Sequence, residues 1–133
     1  MNKPIDPQLD ALRVPPHSIE AEQSALGGLL LDTQAWDKVG DFLNENDFYR
    51  FDHRLIYHHI GRLVTLNRPV DVITVFEALK QSAKDEDAGG LVYLNALAQS
   101  TPSAANIRRY AEIVRERSIL RKLVTVSDEI STS

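Results

Sequence analysis

The 133-residue chain contains no cysteine, which excludes disulfides, thiolate metal sites and cysteine nucleophiles. Long apolar runs are missing as well. The opening MNKPIDPQLDALRVPP places prolines and acids where a secretion signal would place its hydrophobic segment. No segment is expected to span a membrane or direct export, and the expected compartment is the cytoplasm. Neither G-x-x-x-x-G-K-[ST] nor G-x-G-x-x-G occurs. No loop therefore gathers backbone N–H groups, an ammonium and a magnesium-binding hydroxyl around a phosphate.

A dominant basic cluster is also lacking. Residues 1–102 hold 9 Lys/Arg against 15 Asp/Glu, and residues 103–133 hold 6 against 4, giving a chain of net charge -4 with an acidic body and a mildly basic tail. Gripping nucleic acid draws on clustered cations that displace counterions from phosphates. A protein partner is the better expectation. What is present, 43% hydrophobic and 26% charged residues, is ordinary for a globular domain. A chain of this length buries about 65–70% of its unfolded surface, enough for one core.

Four prolines in residues 1–16 predict a flexible N-terminal arm, followed by a helical head over 17–102. Ser18 is a plausible N-cap, with Glu20 and Glu22 in the first turn where the helix dipole favours negative charge. Ile19, Ala21, Ala25, Leu26, Leu29 and Leu30 recur at helical spacing, predicting a helix over about 19–31. Asp32 caps a second short helix with Trp36, Val39 and Leu43 on one side. A third begins at Asp52, its stripe formed by Leu55, Ile56, His59, Ile60, Leu63 and Leu66. This third helix is expected to be central. Asp71 caps a fourth with Val72, Val75, Phe76 and Leu79 inward, although the β-branched run VITVF leaves a strand as the alternative. After KDEDAGG, a short helix turns Leu91, Leu94, Leu97 and Ala98 inward.

Ser103 then caps the longest helical pattern, which runs to the end without glycine or proline. One stripe holds Ile107, Tyr110, Ala111 and Val114; Ile113, Leu120, Leu123, Val124 and Ile130 continue on a shifted line. About 28 residues reach on the order of 40 Å, farther than the short helices can cover. The far end is expected to project or bend and to need a partner.

The adjacent Gly27 and Gly28 sit inside the apolar run of the first helix. LLLD follows them, without the lysine or hydroxyl a phosphate loop requires. Glycine costs a helix about 1 kcal/mol relative to alanine, so close packing against another helix is the expected role. His53, His58 and His59 lack the i, i+3 or i+4 spacing that brings imidazoles to one metal. The scattered carboxylates fit capping and solvation better than acid–base catalysis. Arg108, Arg109, Arg115, Arg117, Arg121 and Lys122 wind around the last helix with Glu112 and Glu116 between them, which fits a solvated face better than a phosphate-gripping one. Tyr93 and Tyr110 suit either a core or an interface.

Taken in order, VPPHSIEAEQSALGGLLLD, DFYR, HRLIY, PVDVITV, GGLVYL and TPSAANIRRYAEIVRER resemble the N-terminal domain of replicative DNA helicases of the DnaB family, over about residues 12–131. The resemblance implies an all-α fold: a compact orthogonal helical head of about five to six helices, with residues 103–133 as the first arm of a helical hairpin. It implies that the second arm and a RecA-like motor lie further on, and that ATP and magnesium belong to that motor, with no cofactor and no catalytic residue in this chain. DNA would be engaged mainly by the motor. The implied role is a non-catalytic collar domain. It would associate with itself, as a dimer and within a hexamer, and dock the C-terminal domain of primase and, in some lineages, a helicase loader. Carried to matching positions, the partner-facing residues would be Glu20, Asp71, Tyr93, Arg121, Val124 and Ile130. The alternative is a module contacting single-stranded nucleic acid through the arginine-rich last helix.

Overall fold

A computed structural model describes residues 14–132, and the side chains of residues 14–127. The arm expected over residues 1–16 thus lies largely outside the described residues, as does the side chain of Ile130. The described chain is all-α, without a strand: α1 (Ile19–Leu31), a 3₁₀ turn (Thr33–Ala35), α2 (Trp36–Val39), a second 3₁₀ turn (Glu45–Asp47), α3 (Phe51–Thr65), α4 (Val72–Gln81), α5 (Gly90–Ser100) and α6 (Ile107–Thr132). Among the described residues no helix is long and apolar enough to cross a membrane.

Local chemistry accounts for most of the boundaries. The Ser18 hydroxyl accepts the Ala21 N–H, and the Asp32 carboxylate accepts the Gln34 N–H, closing α1 at one end and opening the next turn at the other. VITVF is helical despite its β-branched residues. Asp71 and Thr74 form a reciprocal capping box in which Asp71 Oδ1 accepts the Thr74 N–H at 2.8 Å and Thr74 Oγ1 accepts the Asp71 N–H at 2.9 Å. Val75 and Leu79 are then fully buried one turn apart.

Besides α3 starting one residue earlier, at Phe51 instead of Asp52, three features differ from the sequence reading. The second helix is only Trp36–Val39, preceded by the 3₁₀ turn. Leu66 falls beyond the last turn of α3 and is 54% exposed instead of buried. The Ser103 hydroxyl accepts the Ala105 N–H and stabilises a turn, so that α6 starts at Ile107 and runs for 26 residues.

The most deeply embedded helix is α1, which packs on α5, α6 and α3. Ala21, Glu22, and the run from Ala25 to Leu30 are all buried, nearly around its circumference. The glycine pair makes this possible. A Cβ on Gly27 would lie 2.5 Å from the Leu97 carbonyl oxygen of α5 and inside the Thr101 side chain, and one on Gly28 would lie 3.0 Å from Ile107 Cδ1 at the start of α6. Ile107, Ala111, Val114 and Ser118 bury the first half of α6 against the head. Beyond Ser118 its apolar residues, Ile119, Leu120, Leu123, Val124 and Val126, are 43–60% exposed.

Candidate docking face

The N-terminal end of α1 carries an inward and an outward acid. Glu20 is exposed; Glu22, on the opposite side of the turn, is 1% exposed. A buried carboxylate is tolerated only when donors surround it, and the segment after the second 3₁₀ turn supplies them. Glu22 Oε2 accepts the Tyr49 N–H at 2.7 Å, and Oε1 accepts the Arg50 N–H at 3.4 Å and His53 Nδ1–H at 2.7 Å. His53, on the first turn of α3, is fully buried.

With its proton on Nδ1, His53 accepts at Nε2 from the Tyr93 hydroxyl of α5, 2.6 Å away, and that hydroxyl accepts from Gln23 Nε2 at 3.3 Å. The imidazole and phenol rings are parallel, with centroids 5.9 Å apart. Burial pushes the Tyr93 hydroxyl above its ordinary pKa, so the phenol stays protonated as a donor. Tyr93 is half-buried, and the Arg50 guanidinium lies over its ring at 5.4 Å, a cation–π placement. Arg50 is fixed by Asp52, and that hydrogen bond raises its pKa.

A second buried carboxylate ties the foot of α6 to the head. Asp47, 1% exposed, accepts from Arg115 Nη1 at 2.9 Å, from the Ser118 hydroxyl at 2.8 Å and from the Asn44 N–H at 2.8 Å. Arg121 continues the tie. Its guanidinium donates to the carbonyls of Asp47 at 2.6 Å and Pro16 at 2.8 Å and lies over the Tyr49 ring, which stacks on His17. Burial lowers the Arg121 pKa from its ordinary value.

The positions singled out from the sequence do not form one patch. Glu20 and Tyr93 share a neighbourhood, because Gln23, one turn after Glu20, bonds Tyr93. Asp71 lies near the other end of α1, where Val70 and Thr33 exchange hydrogen bonds, about 20 Å along the helix. Asp71 itself is exposed but committed to its cap. Arg121 lies near the start of α1, its donors turned inward. Val124 is 47% exposed on the projecting part of α6.

The three histidines do not converge on one point: His58 and His59 meet edge to face with centroids 5.2 Å apart, but each ring serves different partners. His53 serves the Glu22 cluster; His58 pairs with Glu45 at 2.6 Å; His59 donates to the Leu55 carbonyl and meets the Ser82 hydroxyl. Among the described residues no group of His, Asp and Glu could hold a metal ion. The arginines of α6 are mostly engaged: Arg108 and Arg109 with Glu112, Arg109 also with Glu116, Arg115 and Arg121 with the Asp47 region. That leaves few cations for a phosphate backbone.

Sequence reasoning missed the interior roles of Glu22, His53 and Asp47. Their partners lie 27 to 71 residues away, so no local spacing announces them. The usable signal is polar residues at core positions of apolar stripes: Glu22 one residue from Ala21, and His53 three before Ile56.

Residues 14–116 match the model of the DnaB-like helicase N-terminal domain. The chain is 46% identical over 120 residues to the replicative DNA helicase DnaB of Pasteurella multocida and 42% identical over 124 residues to that of Geobacillus stearothermophilus, matches covering 90% and 93% of this chain. They cover only 26% and 27% of those relatives, so the chain spans about a quarter of their length. Among solved structures, the N-terminal domain of DnaB helicase from Mycobacterium tuberculosis superposes with a TM-score of 0.87 at 38% identity, covering 90% of this chain and 84% of that one. The N-terminal domain of DnaB helicase from Helicobacter pylori, described together with its interactions with primase, shares the fold with a TM-score of 0.71 at 22% identity, covering 96% and 97%. A single ordered match through the helical head and into α6 joins these comparisons: the chain belongs to the DnaB-like helicase N-terminal domain family.

Proposed function

We propose that this chain is the non-catalytic docking and assembly domain of a cytoplasmic replicative DNA helicase, with ATP-dependent 5′–3′ unwinding carried out by a motor that follows it in the parent protein. Two surfaces divide the work. The projecting half of α6, with five apolar side chains exposed in one run, joins a hairpin arm and a second copy of the domain. Fully burying one such aliphatic side chain contributes about 1.5–3 kcal/mol, so a few of them suffice to hold a dimer. Dimers then build the collar of the hexamer.

The face at the start of α1 and α5 receives the C-terminal domain of primase. Glu20 offers an exposed carboxylate without a partner among the described residues, and Tyr93 offers ring area held in one orientation by His53 and Gln23. A rigid, half-buried aromatic beside charged groups is the profile of an interface anchor, because little side-chain entropy remains to be lost on binding. The single observation that carries this reading is the fixed Tyr93 at the edge of an interior polar network, within one turn of an exposed acid. The Helicobacter pylori domain, described with its interactions with primase, supports the partner's identity by analogy of fold. Helicase loaders are a further partner of the same collar.

The test is titration calorimetry of the chain with primase's C-terminal domain. Binding is expected, with the Glu20→Arg variant weakened at least about tenfold, a loss of 1.4 kcal/mol. Equal affinity of the variant and the unaltered chain would overturn the assignment of this face.

A further inference from the structure

On another side of the molecule, a groove of about 700 Å³ runs between the 36–47 segment, α3 and the middle of α6. None of the residues around Tyr93 lines it. Its floor is Trp36, whose indole stacks on Tyr57 with centroids 5.0 Å apart and lies against two glycines. A Cβ on Gly61 would sit 3.0 Å from the far edge of that indole, and one on Gly40 would overlap it. The indole N–H has no hydrogen-bond partner among the described residues. Leu66, more than half exposed, adds an apolar wall.

The charges of this groove are unequal in availability. Both of its anions are occupied: Glu45 holds His58, and Asp47 is sealed beneath Arg115, Ser118 and the Asn44 N–H. Its cations are not. The Arg62 and Lys122 side chains are exposed and have no ion pair among the described residues, and Arg115 uses only Nη1 on Asp47, leaving Nη2 and Nε to form a fork. An acidic chain of net charge -4 thus presents three available cationic donors, one free indole donor and an apolar wall in a cleft of ligand size. Guanidinium forks match carboxylates.

We propose that this groove binds an acidic peptide segment of a partner protein carrying one bulky apolar side chain. The peptide's carboxylates meet Arg62, Arg115 and Lys122, its apolar side chain lies on Trp36 and Leu66, and a backbone carbonyl accepts the indole N–H. A nucleic-acid strand is the poorer fit. Tyr57 covers one face of the indole on which a base would stack.

Trp36 is the chain's single tryptophan, so its emission reports occupancy directly. The probe is a short synthetic peptide of aspartates flanking one phenylalanine, with a lysine-for-aspartate peptide and oligothymidylate as controls. Saturable change in Trp36 emission is expected with the acidic peptide alone. Its affinity should fall at least about tenfold in the Arg62→Glu, Lys122→Glu double variant, and also on raising the ionic strength of the unaltered protein, an independent readout should that variant fail to fold. The proposal is overturned by an unchanged emission up to about 1 mM peptide, by an equal response to the lysine peptide, or by a charge-dependent response to oligothymidylate alone. An emission change that follows protein concentration without peptide would assign the groove to a second copy of the chain and equally overturn it.

Discussion

Replacing Glu22 by glutamine changes one atom and should cost the domain several kcal/mol. The carboxylate accepts from the Tyr49 N–H on one oxygen and from His53 and the Arg50 N–H on the other. Glutamine has one acceptor oxygen and an NH₂ that donates, so whichever way it turns, at least one buried N–H faces another donor. An orphaned buried donor costs about 1–3 kcal/mol, and bonds to a charged acceptor about 1.5–3 kcal/mol each. A loss of about 2–4 kcal/mol is expected, which for a domain of this size lowers the melting temperature by roughly 10 °C. The matched control is Glu20→Gln, two residues earlier and exposed, which should stay within about 0.5 kcal/mol. Urea denaturation of the three proteins measures the difference. If Glu22→Gln were no less stable than Glu20→Gln, the buried carboxylate would not be organising the 49–53 segment, and the rigidity assigned to Tyr93 would lose its foundation.

The glycine pair should respond unequally. Gly27→Ala forces a Cβ into the Leu97 carbonyl and Thr101, a backbone obstacle, and is expected to destabilise by about 1–3 kcal/mol; Gly28→Ala meets only the end of Ile107 and should fall within about 1 kcal/mol of neutral, as helix propensity offsets the contact. Arg121→Ala should cost about 1–3 kcal/mol in this chain, because it strips the Asp47 and Pro16 carbonyls of their donor, whereas Val124→Ala should change stability by less than about 0.5 kcal/mol; both are read by urea denaturation. If Arg121→Ala left stability intact but abolished primase binding, its role would be partner-facing. Burial lowers the His59 pKa below its ordinary 6.5, so the unfolded chain binds the extra proton first as pH falls. Its contribution to stability is therefore intact above pH 6.5 and is lost progressively below it; His59→Gln should flatten the stability–pH curve in that window, measured by thermal melts at stepped pH.

Helix positions were legible in the sequence where a cap and a stripe coincide. Ser18 with Leu26 and Leu29 marks α1 over about 19–31, and Asp71 with Val75 and Leu79 marks the start of α4. For VITVF the sequence left strand open, and the reciprocal capping box of Asp71 and Thr74 became visible only in the structure. Boundaries failed where a polar cap made only a turn, as at Ser103, or where a stripe outlasted its helix, as at Leu66. The centrality of α1 over α3 was not legible either, because a hydrophobic stripe records one apolar face and not how many neighbours glycine lets in. The candidate face was half legible. Glu20 and Tyr93 come from the family resemblance, and the structure places them one helical turn from each other through Gln23. The fixation of Tyr93 by His53 and Glu22 depends on contacts 31 and 40 residues apart, and the inward course of Arg121 depends on carbonyls 74 and 105 residues away. A spacing rule reads neighbours on one helix and cannot reach them.

The most direct measurement is sedimentation velocity of the purified chain, alone and with the C-terminal domain of primase, across a concentration series. Self-association driven by the exposed half of α6, together with a co-sedimenting complex that Glu20→Arg weakens, is the expected result; a monomer at every concentration that never co-sediments with primase would contradict the docking and assembly role.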